Sequence, residues 1–208
     1  MNITPIIALL IVSISSSVQA GGNTTNQSFS KAKKILMKQV YTEPSQRHTI
    51  YCNAAFDEKK IITPPEGFSA DKHVKRSGHI EWEHVVPAEN FGRTFSEWRD
   101  GHQECIDSKG KSFKGRKCAE KINTEYRYMQ SDMFNLYPAI GSVNAMRSNY
   151  NFVMLADGVS SFGSCDMQIQ DRKAQPPEKS RGMIARSYLY MEQAYKRYKM
   201  SKSQRQLM

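Results

Sequence analysis

An export signal constrains this chain before anything else does, because it decides the redox state of the four cysteines. The first twenty residues, MNITPIIALLIVSISSSVQA, carry no charged side chain, run apolar from Pro5 to Ile14 and end in Val18-Gln19-Ala20. That pattern predicts a signal peptide over residues 1–20, cleaved after Ala20. Its apolar stretch is shorter than the ~20 residues a membrane span needs. No later segment is apolar enough to span, so the mature chain is expected to be periplasmic or secreted, without a membrane span. In an oxidising compartment Cys52, Cys105, Cys118 and Cys165 become candidates for disulfides. Four cysteines allow three pairings, and the sequence does not choose among them. The favoured set joins Cys105 to Cys118, closing a short basic loop worth about 3 kcal/mol in the chain-entropy model, and Cys52 to Cys165. Zinc is disfavoured, because there is no C-x-x-C pair and no clustered histidine spacing.

A chain of 208 residues has room for one domain with a real core. The expected organisation is that leader followed by a single domain over 21–208, its polar Gly/Asn/Thr/Ser start at 21–27 frayed. Formal net charge is +10, none of it in the leader. Such a protein is drawn to polyanions, whether nucleic acid, anionic lipid or acidic polysaccharide.

Apolar residues at 29, 32, 36 and 40 after Ser28 predict an amphipathic helix that Pro44 ends. Thr49–Cys52 reads as a short strand, and His79–Val86 as a second, stopped by Pro87. Residues 97–121 alternate charges around Gly101, Gly110 and Gly115 and read as a long basic loop. The run from Glu125 to Ile140 is helix-like, with Pro138 starting a new helix and Asn135 at the junction. Ser180 is placed to cap a last helix from about Arg181 through Tyr198.

The chemistry centres on Glu81-Trp82-Glu83-His84-Val85-Val86-Pro87-Ala88. A hard ion such as magnesium keeps several waters and asks the protein for one or two oxygen ligands, which a Glu and an Asn amide supply. An imidazole beside them can take a proton from attacking water near neutrality. An arginine opposite would stabilise charge on a phosphate. In a regular strand Glu83 and His84 point to opposite faces, so irregular backbone is expected there. Glu81 is expected to be structural, holding an Arg or Lys. Trp82 and Trp98 are expected to pack, and His48, His73, His79 and His102 to lie on the surface.

Ile80 to Ala88, Phe91-Gly92, the run Asn135-Leu136-x-Pro138-Ala139-Ile140-Gly141-x-Val143-Asn144, Arg147 to Tyr150 and Arg181-Gly182-x-Ile184-Ala185-Arg186 together resemble the bacterial endonuclease I family. The resemblance extends from about Phe29 to the C-terminal helix. It implies a mixed α+β domain with a ββα-metal (His-Me finger) core among helices. It also implies a magnesium-dependent nonspecific endonuclease, with Mn²⁺ or Ca²⁺ as other possible ions, that cuts DNA and RNA to 5′-phosphate ends. By the resemblance His84 is the general base, Glu83 and Asn135 are the metal ligands, and Arg116 is the catalytic phosphate contact. Lys117 and Arg186 are further candidate substrate contacts, and a monomer is expected.

Two features depart from the family pattern. Asn53-Ala54 stands where a second cysteine is common, and the sequence ends at Met208 where many relatives continue. A noncatalytic exported nucleic-acid-binding protein is therefore the alternative reading. A cationic membrane-active protein lacks the strongly apolar face it would need.

Overall fold

Ser28 opens the first helix by accepting a hydrogen bond from the Lys31 amide at 3.2 Å, which satisfies one donor of the first turn. In the computed structural model, which describes residues 21–156 and 158–208, this helix α1 (Phe29–Ile35) runs on into a π-helical turn at Leu36–Val40. Its apolar face buries Ala32 and Leu36 against Leu136. The predicted leader lies outside the described residues. The 21–27 segment, expected to fray, is instead fastened down. The Asn23 amide donates to the Tyr195 hydroxyl at 2.8 Å and to Asp132 Oδ2 at 3.2 Å, and Asn23 Nδ2 donates to the Tyr128 carbonyl.

The Thr49–Cys52 strand does not form. Those residues make a turn closed by the Asn53 amide on the Thr49 carbonyl, with Asn53 at φ 51°. Thr49 Oγ1 also accepts from the Ala54 amide, the local side-chain bond that turns use to compete with a ladder. The strand follows the turn, as β1 (Ala55–Phe56) paired antiparallel with β2 (Ile62–Thr63).

The middle of the chain forms a two-stranded antiparallel ribbon. Strand β3 (Ile80–His84) leads, through Pro87, into short helices α2 (Ala88–Gly92) and α3 (Ser96–Arg99). Helices α4 (Arg116–Ile122) and α5 (Thr124–Gln130) follow the basic loop, so both ends of the expected 97–121 loop are helical. The chain then returns as β4 (Leu136–Ile140), pairing Ile80 with Ile140 and His84 with Leu136. Two expectations fail here. The helix predicted across Glu125–Ile140 survives as α5 and a 3-10 turn at Met133–Asn135, because the run from Leu136 gains more by pairing with β3. Pro138 fits because the ribbon has only two strands. It sits opposite Trp82, and its carbonyl points outward to accept the Ile50 amide at 2.8 Å. The irregular backbone expected at Glu83-His84 is also absent, for both residues lie in register. They reach one cleft because His84 is the last residue of the strand, where both faces of a narrow ribbon become accessible.

Helix α6 (Gly141–Arg147) starts directly at the end of β4 and folds back over the ribbon. Gly141 is required there, since a Cβ would stand 2.3 Å from the Arg76 carbonyl oxygen. Beyond it, β5 (Asn151–Phe152), β6 (Gln168–Gln170) and β7 (Lys173–Gln175) form a small sheet in the order β5-β7-β6. Helix α7 (Glu178–Ala194) buries Ile184, Ser187, Tyr188 and Met191, one stripe at helical spacing. Ser180 does not cap it. Pro177 precedes the first turn, and Ser180 Oγ donates to the Ile50 carbonyl at 2.6 Å. A last helix, α8 (Lys202–Leu207), completes the order. The architecture is mixed α+β, and among the described residues no helix is long and apolar enough to cross a membrane.

Two disulfides join the parts, Cys52–Cys165 across 113 residues of sequence and Cys105–Cys118 across 13. Loop closure makes the longer bridge the more stabilising. Replacing Cys52 and Cys165 with alanine should lower unfolding free energy by about 4–5 kcal/mol, and replacing the other pair by about 3 kcal/mol, in urea unfolding at fixed pH.

Candidate active site

Glu83 is a buried carboxylate, 3% exposed, and its environment is built around one oxygen. Oε1 accepts the Tyr51 hydroxyl at 2.6 Å and lies 2.9 Å from Nη1 of Arg147, which is itself fully buried. The other oxygen, Oε2, has no hydrogen-bond partner among the described residues. Burial pushes the Glu83 carboxyl up from its ordinary value, while Arg147 and Tyr51 pull it down. The Arg147 guanidinium is itself buried, which disfavours its charge, yet Glu83 holds its pKa above the usual range, while burial leaves the Glu83 carboxyl raised on balance. Arg147 also donates to the carbonyls of His84 at 2.9 Å and Val85 at 2.6 Å, and lies 4.5 Å above the Phe152 ring.

His84 points to the other face of the ribbon. Its Nε2 lies 2.8 Å from the Gln130 carbonyl, an acceptor only, so this nitrogen carries the proton and Nδ1 keeps its lone pair. Burial, then the positive charge of Arg116, pushes the imidazole pKa down to about 3 against the pull of that carbonyl. A neutral ring with a fixed tautomer can accept a proton. Phe29 packs against it, ring centroids 4.8 Å apart.

The cleft beside these residues has a volume of about 440 Å³ and is lined by Glu83, His84, Arg116 and Asn144, with Trp82 and Trp98 in its walls. Arg116 sits in the first turn of α4, two residues before Cys118, whose disulfide anchors that turn. Asn144 projects from α6 one turn before Arg147. Its Nδ2 donates to Glu81 Oε2 at 2.8 Å, which fixes the amide orientation and leaves Oδ1 as the outward acceptor. Glu81 is in turn gripped by Arg76 through two hydrogen bonds, of 2.7 and 2.5 Å. Burial alone would raise Glu81, but Arg76 and Asn144 hold its carboxyl below the usual carboxylate range. Glu89, also on the cleft, is engaged by Arg93 and Asn149.

Asn135, expected as a metal ligand, is not in this group. It is fully buried, with Oδ1 accepting the Val86 amide at 2.7 Å and Nδ2 donating to the Val86 carbonyl at 3.0 Å. Both ends of its amide are consumed in holding the chain just past β3. The amide that lines the cleft is that of Asn144, in place of Asn135, which the family resemblance implied. The signal for it was the spacing of Asn144 and Arg147, which share one face of a helix that begins at Gly141. Lys117 is exposed beside Arg116 but outside the cleft. Arg186 is exposed on α7, which packs through Ser187 on the Phe134 carbonyl rather than on the cleft.

The donors fit a hard cation. A carboxylate and an amide line one space, and among the described residues no thiolate or second imidazole joins them. Among the described residues no three His, Cys, Asp or Glu side chains gather into a cage, so a cation here would keep most of its water. Two substitutions separate structure from chemistry. Asn135→Ala strands the Val86 amide and carbonyl and should cost about 1–3 kcal/mol of stability, whereas Asn144→Ala should cost under about 1 kcal/mol. Arg147→Met leaves Glu83 without its cation and should cost about 3–5 kcal/mol. Chemical denaturation measures all three.

A family model described as Endonuclease I matches residues 13–208. An extracellular deoxyribonuclease of Aeromonas hydrophila is 38% identical over 195 residues, covering 90% of this chain and 77% of that protein. A periplasmic deoxyribonuclease of the same organism is 38% identical over 176 residues, 81% of this chain and 67% of that protein. Endonuclease-1 of Buchnera aphidicola subsp. Acyrthosiphon pisum is 36% identical over 178 residues, 82% of this chain and 64% of that protein. With a site of this geometry and a family match across nearly the whole sequence, the chain belongs to the endonuclease I family.

Proposed function

We propose that the protein is an exported, divalent-metal-dependent endonuclease that hydrolyses phosphodiester bonds of DNA, and of RNA, with little sequence preference. The observation that carries this reading is the meeting of Glu83, His84, Asn144 and Arg116 around one cleft in a member of this family. The family relatives named extracellular and periplasmic deoxyribonuclease support DNA as substrate and export as destination. The two disulfides support export as well. We read β3, β4 and α6 as the ββα-metal core.

Glu83 Oε2 and Asn144 Oδ1 are the groups that would hold the cation, with magnesium favoured for its preference for oxygen and retained water. When bound, it supplies Lewis-acid stabilisation of charge building on the phosphate and the leaving oxygen. The protein's own residues do the rest. His84 Nδ1 takes a proton from the attacking water, and the Gln130 carbonyl stabilises the imidazolium that results. Arg116 neutralises the phosphate from the opposite side of the cleft. Cleavage with the 3′ oxygen leaving gives 5′-phosphate ends. Contacts to phosphate and not to base edges explain the lack of sequence preference.

Plasmid nicking by the purified mature chain tests this. EDTA should abolish cutting and added magnesium restore it. His84→Ala should lower kcat by about 10²–10⁴-fold at any magnesium concentration. Glu83→Gln and Asn144→Ala should raise the magnesium requirement and recover part of their activity as magnesium is increased. DNA retained without cutting under every condition would instead support a noncatalytic binding protein, and equal rescue of all three variants would contradict the assigned roles.

A further inference from the structure

Phe29 does more than cover His84. Its ring receives two cations, the Lys33 ammonium at 4.6 Å from the centroid and the Arg116 guanidinium at 5.4 Å. Lys33 lies one turn after Phe29 on α1, so the helix fixes their spacing. The aromatic face holds its ammonium on the ring that packs against His84. Neither Lys33 nor Arg116 has a carboxylate partner among the described residues. Two unpaired like charges gathered on one ring repel each other. The repulsion is relieved when anions lie against both, and a nucleic-acid strand brings its phosphates in series.

We propose that Lys33 is a second phosphate clamp, binding a phosphate that neighbours the one gripped by Arg116 on the strand being cut. The proposal rests on the nuclease reading above and extends it from the scissile phosphate to the flanking nucleotide. Phe29 is the positioning residue, aligning both cations with the His84 ring it touches. The contact made by Lys33 is to the ground state as much as to the transition state, so it governs affinity and KM more than kcat.

The test is equilibrium binding of the full mature chain to a fluorescent duplex in EDTA, across a salt series, so that no turnover is needed. Lys33→Gln keeps most of the aliphatic stem over Phe29 and removes the charge. It should weaken binding at low salt and make the slope of log K against log salt shallower by about 0.9 on duplex. Lys33→Arg should retain the wild-type slope. Lys179→Ala, whose residue lines a different cavity beside the Cys52–Cys165 bridge, should also leave it unchanged. With magnesium restored, Lys33→Gln should raise KM and leave kcat within about twofold. A slope for Lys33→Gln equal to wild type would overturn the proposal, as would a loss confined to kcat. Because binding is read without cleavage, a failure of the nuclease reading shows as intact plasmid with the Lys33 effect present. Failure of this proposal shows as normal cleavage with no Lys33 effect.

Discussion

The buried ion pair between Arg147 and Glu83 is the interaction on which the rest of the site depends. Putting two charges in the interior costs several kcal/mol per ion, and their attraction returns it only when the remaining donors are also satisfied. Arg147 meets most of that condition by donating to the backbone carbonyls of His84 and Val85, although its Nε has no partner in the described structure. One side chain on α6 thereby fixes the carboxylate, the end of β3 and the turn beyond it. Hydrophobic residues of equal volume could fill the same space, but they would not hold one carboxylate oxygen still while leaving the other open. The pair thus contributes orientation at the cleft, and fold stability is the lesser part of its role.

A second set of contacts fixes the imidazole. His84 is oriented by the carbonyl of Gln130, and the segment after Gln130 is held from three directions. Asn135 pairs with the backbone of Val86, Asp132 accepts the hydroxyls of Tyr190 and Tyr195 from α7 and its edge, and Asn23 adds its amide from the N-terminal segment. The two networks meet at Val85-Val86, Arg147 on the Val85 carbonyl and Asn135 on the Val86 amide and carbonyl. Glu83 and His84 therefore stay adjacent in sequence, opposite in direction and fixed relative to each other. That arrangement lets an imidazole and a carboxylate be neighbours with different tasks: the strand's alternation separates their surroundings, and its end brings both side chains to one cleft.

The periodic elements were legible in the sequence. Helices α1 and α7 follow from apolar spacing, and Ser28 marks the first of them. The Leu136–Ile140 strand was not, because five residues with an internal proline carry no period long enough to distinguish a strand from a helix, and pairing with β3 decides the matter. His84, Glu83 and Arg116 could be picked out by residue type and by resemblance, and all three line the cleft. Asn135 and Asn144 offer the same amide in the same stretch of chain. Only the fold shows that one is spent on Val86 and the other faces the cleft. Arg147 was equally hidden, since arginine is almost never fully buried and nothing local announces a carboxylate that lies beyond the ribbon.

The most direct test is the position of a cation in the folded protein. Crystals of the mature chain soaked in manganese would be measured at the manganese absorption edge. One strong anomalous peak is expected in the cleft, coordinated by Glu83 Oε2 and Asn144 Oδ1 and otherwise by water, with the Arg147–Glu83 contact unchanged. A peak coordinated by Asn135, or a cleft that takes up no ion while manganese-supported cleavage proceeds, would contradict it.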